Sequence, residues 1–339
     1  MGVILAKTKT QVSVRKRIQR ALKQARRRVY AVVEFLMLHL VGFVVPHLSR
    51  RMEKRLANGV GSLVFFWGRS SRRIAKANLD IVFGDTKTPE EKHRIMRASY
   101  CHAALVTSDY FWFSRDTLAR LHQFCHVESE SINQWIAGKF PGIFVTAHLG
   151  NWELAGQYVA SCGRSIWSIY RPIGNEKTLK TLLDFRKSTG QHVIAREGAM
   201  TGMLRALRSD GLIALVLDQH TEVVDGGIYV DFFSIPATFS NAPGVLAKRL
   251  KTPICVACAR HDAATDRYLI KAYDVITPDE IEQMTPDAIT ERIVKAISQM
   301  IVENPEQWLW VYRRWKRYRP HDDPSEFPFY AKMDAYSKG

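Results

Sequence analysis

The chain has 339 residues, of which 46% are apolar, and a formal net charge of +16. This apolar fraction supports a large buried core and excludes disorder over most of the length. The five cysteines are an odd number without the spacing of a disulfide framework, which indicates a reducing compartment. Cys255 and Cys258 form a Cys-x-x-Cys pair, but the pair lies in an apolar run, which favours a buried strand over a metal site.

The positive charge is concentrated near the amino terminus. Residues 1–55 contain fourteen Lys and Arg against two acidic residues, a net of +12, so the remaining residues carry only +4. Val29 to Leu48 is mostly apolar and long enough for a membrane span. However, basic residues flank both ends and Glu34 interrupts it, which equally fits a helix lying in an anionic cytoplasmic membrane surface. A buried helix is the third interpretation.

Beyond the amino-terminal arm, helical patterns give way to alternating strands and helices. Residues 56–140 are predicted to be helical and mixed, with helical periodicity over 72–83 and 89–112. Strands are then predicted at 143–147, 165–170, 192–195, 211–217 and 253–259, and helices at 152–159, 176–189, 200–208, 241–250 and 286–302. This alternation predicts an α/β fold with a mostly parallel central sheet covered by helices. The functional site should lie at the carboxyl ends of the strands.

His148 and Glu153 flank the point where the first of these strands changes to a helix. Gly150 breaks the apolar run and Asn151 is a favourable N-cap, so His148 lies in a loop and Glu153 in the first helical turn. The loop lets the carboxylate fold back onto the imidazole, which one continuous helix would prevent. We therefore predict His148 as a general base oriented by Glu153, acting directly on a hydroxyl group. A structural histidine beside a helix start is the plainer alternative.

Two further polar residues follow predicted strands. Arg171 is suited to binding a substrate phosphate, and the alternative is a surface ion pair. Asp218 could orient the active-site loop or an acceptor sugar, or merely cap the turn that contains Gln219 and His220. Both Arg171 and Asp218 are predicted to bind substrate.

The carboxyl-terminal region contains basic residues interleaved with aromatic residues between Trp308 and Arg319. We predict that Arg313, Arg314 and Lys316 contact substrate phosphates or the membrane interface. The same composition also suits single-stranded nucleic acid, whose bases stack on aromatic faces.

Several short motifs occur in a fixed order over roughly residues 60 to 320. They are His148-Leu-Gly-Asn-Trp-Glu153, Tyr170-Arg171-Pro172, Asp218-Gln219, the segment from Phe232-Phe233 to Pro236-Ala237-Thr238, and Pro305-Glu306-Gln307-Trp308. In this order they resemble the late acyltransferases of lipid A biosynthesis. The family commonly has a histidine where this chain has Tyr312, which leaves that position without an expected role.

The resemblance implies a glycerolipid-acyltransferase-like fold, an acyl-carrier-protein thioester as donor, no further cofactor and a lipid A precursor as acceptor. It gives the base role to His148 and the orienting role to Glu153, and Asn151 between them is added to the substrate-binding residues. We expect a basic arm with a membrane-associating helix over residues 1–55 and an acyltransferase domain over residues 56–339. The expected location is the cytoplasmic face of the inner membrane.

Two other functions compete with this one. A non-enzymatic basic protein that binds nucleic acid or anionic lipid would explain the charge but leave the ordered motifs without a role, so no nucleic-acid partner is expected. An acyltransferase acting on a lysophospholipid or another glycolipid would use the same motifs.

Overall fold

A computed structural model of the protein describes residues 39–170 and 176–334. The basic arm, the first half of the expected membrane-associating helix and Arg171 lie outside these residues. Within the described ranges, no helix combines the length and the apolar character that a membrane crossing requires.

Helices form the first part of the described chain. They are α1 (Arg50–Trp67), α2 (Arg69–Phe83), α3 (Pro89–Trp112), α4 (Thr117–Phe124) and α5 (Glu130–Ala137). Thr88 and Glu91 form a capping box that begins α3. Gly61 lets α1 approach α3 closely, since a Cβ there would lie 2.5 Å from the Cα of Cys101. The expected domain boundary after residue 55 falls within α1.

A seven-stranded sheet forms the centre of the described chain, in the order β1-β9-β8-β2-β5-β3-β4. Its strands are β1 (Cys125–Val127), β2 (Gly142–Thr146), β3 (Ile166–Tyr170), β4 (His192–Ala195), β5 (Leu212–Val216), β8 (Ile254–Asp262) and β9 (Arg267–Ile276). Neighbouring strands are parallel except β8 and β9, which are antiparallel. The prediction of a mostly parallel sheet is confirmed.

Helices follow most of these strands, as the alternating pattern predicts. They are α6 (Trp152–Ser161), α7 (Glu176–Lys187), α8 (Ala199–Arg208), α9 (Ala242–Leu250), α10 (Pro278–Gln283) and α11 (Pro286–Glu303). Successive residues of β8 enter different apolar clusters: Ile254 and Val256 belong to one, and Cys255 and Ala257 to the other. Since successive strand residues point to opposite faces, the sheet has a core on each side.

In the part of the chain that the structure describes, four strands lie outside the central sheet. β6 (Gly227–Phe232) and β7 (Ile235–Ser240) form an antiparallel hairpin, and β10 (Arg317–Tyr318) pairs in parallel with β11 (Lys332–Met333). The sequence does not predict the hairpin, nor β1 and β9 at one edge of the central sheet. The carboxyl ends of β2 and β5, which are neighbours at its centre, are the two that position the candidate site.

Candidate active site

The pairing of β2 with β5 brings His148 and Asp218 together. Thr146, the last residue of β2, is in register with Val216, the last residue of β5. His148 and Asp218 each follow two residues later, and the backbone N–H of Leu217 still donates to the carbonyl of Thr146 at 2.9 Å. The two side chains therefore emerge side by side at the carboxyl edge of the sheet.

The carboxylate of Asp218 is bonded through both of its oxygens. Oδ1 accepts from His148 Nδ1 at 2.7 Å. Oδ2 accepts from the backbone N–H of His148 at 3.0 Å and from the indole N–H of Trp308 at 2.7 Å. Asp218 is also buried, so its orientation is fixed by its partners rather than by solvent.

The charges of this pair shift both pKa values in opposite directions. Burial alone would lower the pKa of His148, but the charge of Asp218 and its hydrogen bond outweigh burial and raise it. Burial alone would raise the pKa of Asp218, and the charge of His148 together with three hydrogen bonds lowers it instead. Asp218 is therefore ionised at neutral pH and holds the Nδ1 proton of the imidazole.

The loop that carries His148 is held by backbone bonds on two sides. On one side, Leu309 N donates to His148 O at 3.2 Å, and Gly150 N donates to Gln307 O at 3.2 Å. On the other side, Asn151 N donates to the carbonyl of Ala259 on β8 at 2.8 Å. Gly150 has a φ of +61°, and a Cβ there would lie 2.1 Å from the Ala259 oxygen, so glycine is required.

The second ring nitrogen of His148, Nε2, has no contact with Asp218 and lies beside Gln219. Nε2 lies 3.3 Å from the side-chain amide nitrogen of Gln219, which is positioned to donate to it. The indole of Trp152 packs against the imidazole with ring centroids 4.8 Å apart. The His148 side chain is 21% exposed, so Nε2 is within reach of a hydroxyl group that displaces the Gln219 amide.

Glu153 does not make the bond to His148 that the sequence analysis expects. Its carboxylate forms a two-point ion pair with Arg186 on α7, in which Arg186 Nε lies 2.8 Å from Oε2 and Nη2 lies 2.5 Å from Oε1. The physical reason is that Glu153 already belongs to α6, whose first turn directs it to α7, while the neighbouring strand supplies Asp218 to the imidazole. The charge of Glu153 still contributes to the raised pKa of His148, after the effects of burial and Asp218.

Asn151 is buried beneath the loop. Its Oδ1 accepts from the backbone N–H of Leu154 at 3.1 Å and caps α6, as the sequence predicts. Its Nδ2 donates to Asp109 at 2.8 Å. Asn151 therefore supports the loop from inside, and its expected contact with substrate stays a prediction.

The three basic residues of the carboxyl-terminal cluster have different surroundings. Arg314 is fully buried, donates to the carbonyl of Thr238 at 2.7 Å and stacks over Phe239; burial lowers its pKa to about 10. Lys316 donates to the Tyr312 hydroxyl at 3.1 Å. Arg313 is exposed. Their role in substrate binding stays a prediction, as does that of Arg171, which lies outside the described residues.

Three residues of the site have no role assigned by the sequence analysis. Trp308 donates to the carboxylate of Asp218, the carbonyl of Gln307 accepts from the backbone of Gly150, and Gln219 lies against Nε2 of His148. All three residues occur in the ordered motifs, so the sequence contained a signal that could have identified them. Elsewhere in the described ranges, Cys255 and Cys258 are buried free thiols, and no group of three or more His, Cys, Asp or Glu side chains is arranged to hold a metal ion.

Two comparisons with known proteins found similar sequences. Residues 19–317 match the family described as "Bacterial lipid A biosynthesis acyltransferase". A segment of 116 residues is 22% identical to the phosphatidylinositol mannoside acyltransferase of Mycobacterium tuberculosis (strain CDC 1551 / Oshkosh), and it covers 33% of this chain. The match spans 36% of that curated relative's length. Both similarities concern acyl-transferring proteins.

Proposed function

Because the chain belongs to the family of bacterial lipid A biosynthesis acyltransferases, we propose that it moves a fatty acyl group from an acyl-carrier-protein thioester to a hydroxyl group of a lipid A precursor. His148 is the general base, and Asp218 is the carboxylate bonded to it. The observation that carries this assignment is the 2.7 Å bond from His148 Nδ1 to Asp218 Oδ1, which leaves Nε2 to accept a proton.

The reaction needs one base and two proton transfers. The acceptor hydroxyl gives its proton to Nε2 of His148 while its oxygen attacks the thioester carbonyl carbon. The tetrahedral intermediate then collapses, the carbon–sulfur bond breaks, and the departing sulfur takes the proton from the imidazolium. The products are an ester and the free thiol of the carrier protein. Asp218 keeps the imidazole in the required tautomer and stabilises its charged form.

The identity of the acceptor lipid has to be argued separately, because the same reaction could acylate other lipids. The name of the mycobacterial relative refers to a phosphatidylinositol mannoside, a glycolipid, so an acceptor of that class is the main alternative to a lipid A precursor. A lysophospholipid is the third. The family match over residues 19–317 favours the lipid A precursor, since it covers far more of the chain than the mycobacterial match does.

The reaction is proposed to take place at an anionic membrane surface, on the cytoplasmic face of the inner membrane. The exposed apolar face of α1 supports this membrane location. Its large apolar side chains recur every three or four residues and are exposed: Met52, Leu56, Val60, Leu63 and Trp67. Here this set is called the α1 stripe. More than half of the large apolar side chains exposed in the described ranges lie between Leu40 and Trp67. Such a concentration is typical of a surface that binds protein or membrane.

The charges around the α1 stripe suit an anionic partner. Arg51, Arg55, Arg69 and Arg73 are exposed on α1 and on the start of α2. In contrast, Glu53, the acidic residue of α1, is completely buried. An apolar face bordered by arginine side chains is the composition of helices that lie in the membrane interface.

The proposal is tested with defined substrates. Purified full-length protein is incubated with labelled acyl-acyl-carrier-protein and, in parallel, with lipid A precursor, phosphatidylinositol mannoside, lysophosphatidate or no acceptor. Lipid products are then weighed by mass spectrometry. One added acyl group on the lipid A precursor is expected, and it should disappear in His148→Ala. The control is His192→Ala, which removes an exposed histidine on β4.

The other outcomes separate the alternatives. Transfer to phosphatidylinositol mannoside alone or to lysophosphatidate alone would move the acceptor to that class while keeping His148 as the base. Transfer to no lipid, or a His148→Ala variant that works normally, would overturn the proposed reaction.

A further inference from the structure

We propose that Asp109 is a positioning residue for the catalytic base and acts through Asn151. The inference rests on the proposed acyl transfer and concerns how the loop that carries His148 is held. Asp109 lies on α3, far from this loop in sequence, yet its Oδ2 accepts from Asn151 Nδ2 at 2.8 Å. Both side chains are 1% exposed, so water does not compete for this bond.

The carboxylate of Asp109 is the centre of a buried polar cluster. Besides Asn151, the hydroxyl of Tyr268 on β9 donates to Oδ2. Oδ1 accepts from Arg50 Nη1 at 2.5 Å, and the same Arg50 nitrogen lies 2.5 Å from Glu53 Oε2. The cluster therefore joins α1, α3, the sheet and the catalytic loop. It consists of Arg50, Glu53, Asp109, Asn151 and Tyr268, and is here called the Asp109 cluster.

The bond to Asp109 determines which way the Asn151 amide faces. Because the carboxylate accepts from Nδ2, the amide oxygen faces the backbone N–H of Leu154 and caps α6. An amide turned the other way would present its NH2 group to the Leu154 N–H, and the cap would be lost. The start of α6 directly follows the loop, so the position of His148 depends on this orientation.

Asp109→Asn tests the bond with little change in volume. The side-chain amide of Asn has an acceptor oxygen at one end and a donor NH2 group at the other. In either orientation, its NH2 group therefore faces a donor group of Arg50 or of Asn151, and one of the two bonds is lost. We expect kcat to fall about 10- to 100-fold while KM is unchanged, because a displaced base costs rate and not substrate affinity. Adding Asn151→Asp restores a donor–acceptor pair and the charge of the Asp109 cluster, and aspartate is also a good N-cap. The double variant should therefore regain most of the lost kcat.

Hydrogen exchange of the loop and first turn of α6, residues 148–155, gives a readout that does not depend on activity. Exchange should be faster in Asp109→Asn and return toward the wild-type rate in the double variant. The matched control is Thr290→Val, which removes another buried hydrogen bond, 2.8 Å long, to Asn241 on a different part of the fold. The control should change neither kcat nor loop exchange.

If Asp109→Asn does not fold, Asn151→Ser replaces it, since the serine hydroxyl oxygen can still cap α6 while the amide NH2 group that reaches Asp109 is removed. A folded variant with wild-type kcat and wild-type loop exchange, or a double variant that recovers neither, would overturn the inference. If the wild-type protein transfers no acyl group, the proposed function fails, and loop exchange alone still decides whether Asp109 positions the loop.

Discussion

Asp218 governs both the tautomer and the basicity of His148. Its Oδ1 holds the proton on Nδ1, so the lone pair of the ring lies on Nε2. The indole of Trp308 holds the other carboxylate oxygen, so Asp218 cannot turn away from the ring without losing that bond. The charge of Asp218 also raises the pKa of His148, so in the proposed reaction it would stabilise the imidazolium formed when the acceptor hydroxyl loses its proton.

Asp218→Asn should therefore change both the rate and its pH dependence. We expect kcat to fall about 100- to 10,000-fold, because an amide can donate to Nδ1 and favour the wrong tautomer. His148 works only when unprotonated, so kcat/KM rises with pH through its pKa. Asp218 raises that pKa, so the residual activity of the variant should rise at lower pH than that of the wild type. A pH profile that does not move would contradict the assignment.

Glu153 and Arg186 form a pair whose removal should affect stability first. Their side chains are only 7% and 15% exposed, so replacing one leaves the other buried without its partner. Glu153→Gln should lower the free energy of unfolding by about 3–5 kcal/mol, measured with denaturant. Adding Arg186→Met should recover part of this loss. The pH profile should shift less than in Asp218→Asn; an equal or larger shift would instead make Glu153 the orienting carboxylate.

The helix α1 has one face packed against the protein and one exposed face. Its inner face carries small residues: Ala57 is buried, and Gly61 lies against α3. Its outer face is the α1 stripe. The amino-terminal turn of the same helix supplies Arg50 to the Asp109 cluster, so the proposed membrane helix and the catalytic loop are joined through one carboxylate, Asp109.

Leu63→Gln combined with Trp67→Gln should weaken binding to vesicles that contain anionic phospholipid, measured by co-sedimentation. The two side chains are 61% and 78% exposed, so the substitutions should leave the fold intact. The matched control is Val224→Gln with Val302→Gln, which removes two exposed apolar side chains outside the α1 stripe. Equal binding by both double variants would remove the α1 stripe as the contact surface. Binding should also decrease as salt increases.

The hairpin β6–β7 shows why some elements cannot be predicted from sequence. Its turn follows Phe232, and Phe233 has a φ of 62° there. Tight hairpin turns with positive φ usually contain Gly, Asn or Asp, so an aromatic residue gives no turn signal. β2 and β5, by contrast, are short apolar runs that end at polar residues, and their prediction is confirmed within one residue at each end.

The sequence predicts most strands of the central sheet but not the order in which they pair. It predicts that His148 and Asp218 both follow strands at one edge of the sheet. It does not reveal that β2 and β5 are neighbours in register, since non-local pairing depends on the packing of the complete chain. Without that pairing, Glu153 is the nearer carboxylate in sequence. The sequence alone therefore favours Glu153 as the partner of His148, whereas the structure shows Asp218.

The buried Asp109 cluster predicts how the stability of the whole molecule changes with pH. Burial and the charge of Asp109 raise the pKa of Glu53 from 4.5 to about 7, although Arg50 opposes them. The folded protein therefore holds this proton at pH values where the unfolded chain has lost it, so the contribution of Glu53 to stability is full below pH 4.5 and is lost as pH rises to about 7.

Glu53→Gln, which cannot ionise, should gain in melting temperature relative to wild type between pH 5 and pH 8, with a free-energy change on the order of 3 kcal/mol. Glu280→Gln is the control. Hydrogen bonds from Thr277 and Arg292 lower the pKa of Glu280 from 4.5 to about 2, so its contribution to stability is lost only as pH falls from 4.5 towards 2. The melting-temperature difference between Glu280→Gln and wild type should therefore stay constant between pH 5 and pH 8. A melting-temperature difference between Glu53→Gln and wild type that is the same at pH 5 and pH 8 would show that Glu53 is ionised in the folded protein throughout this range.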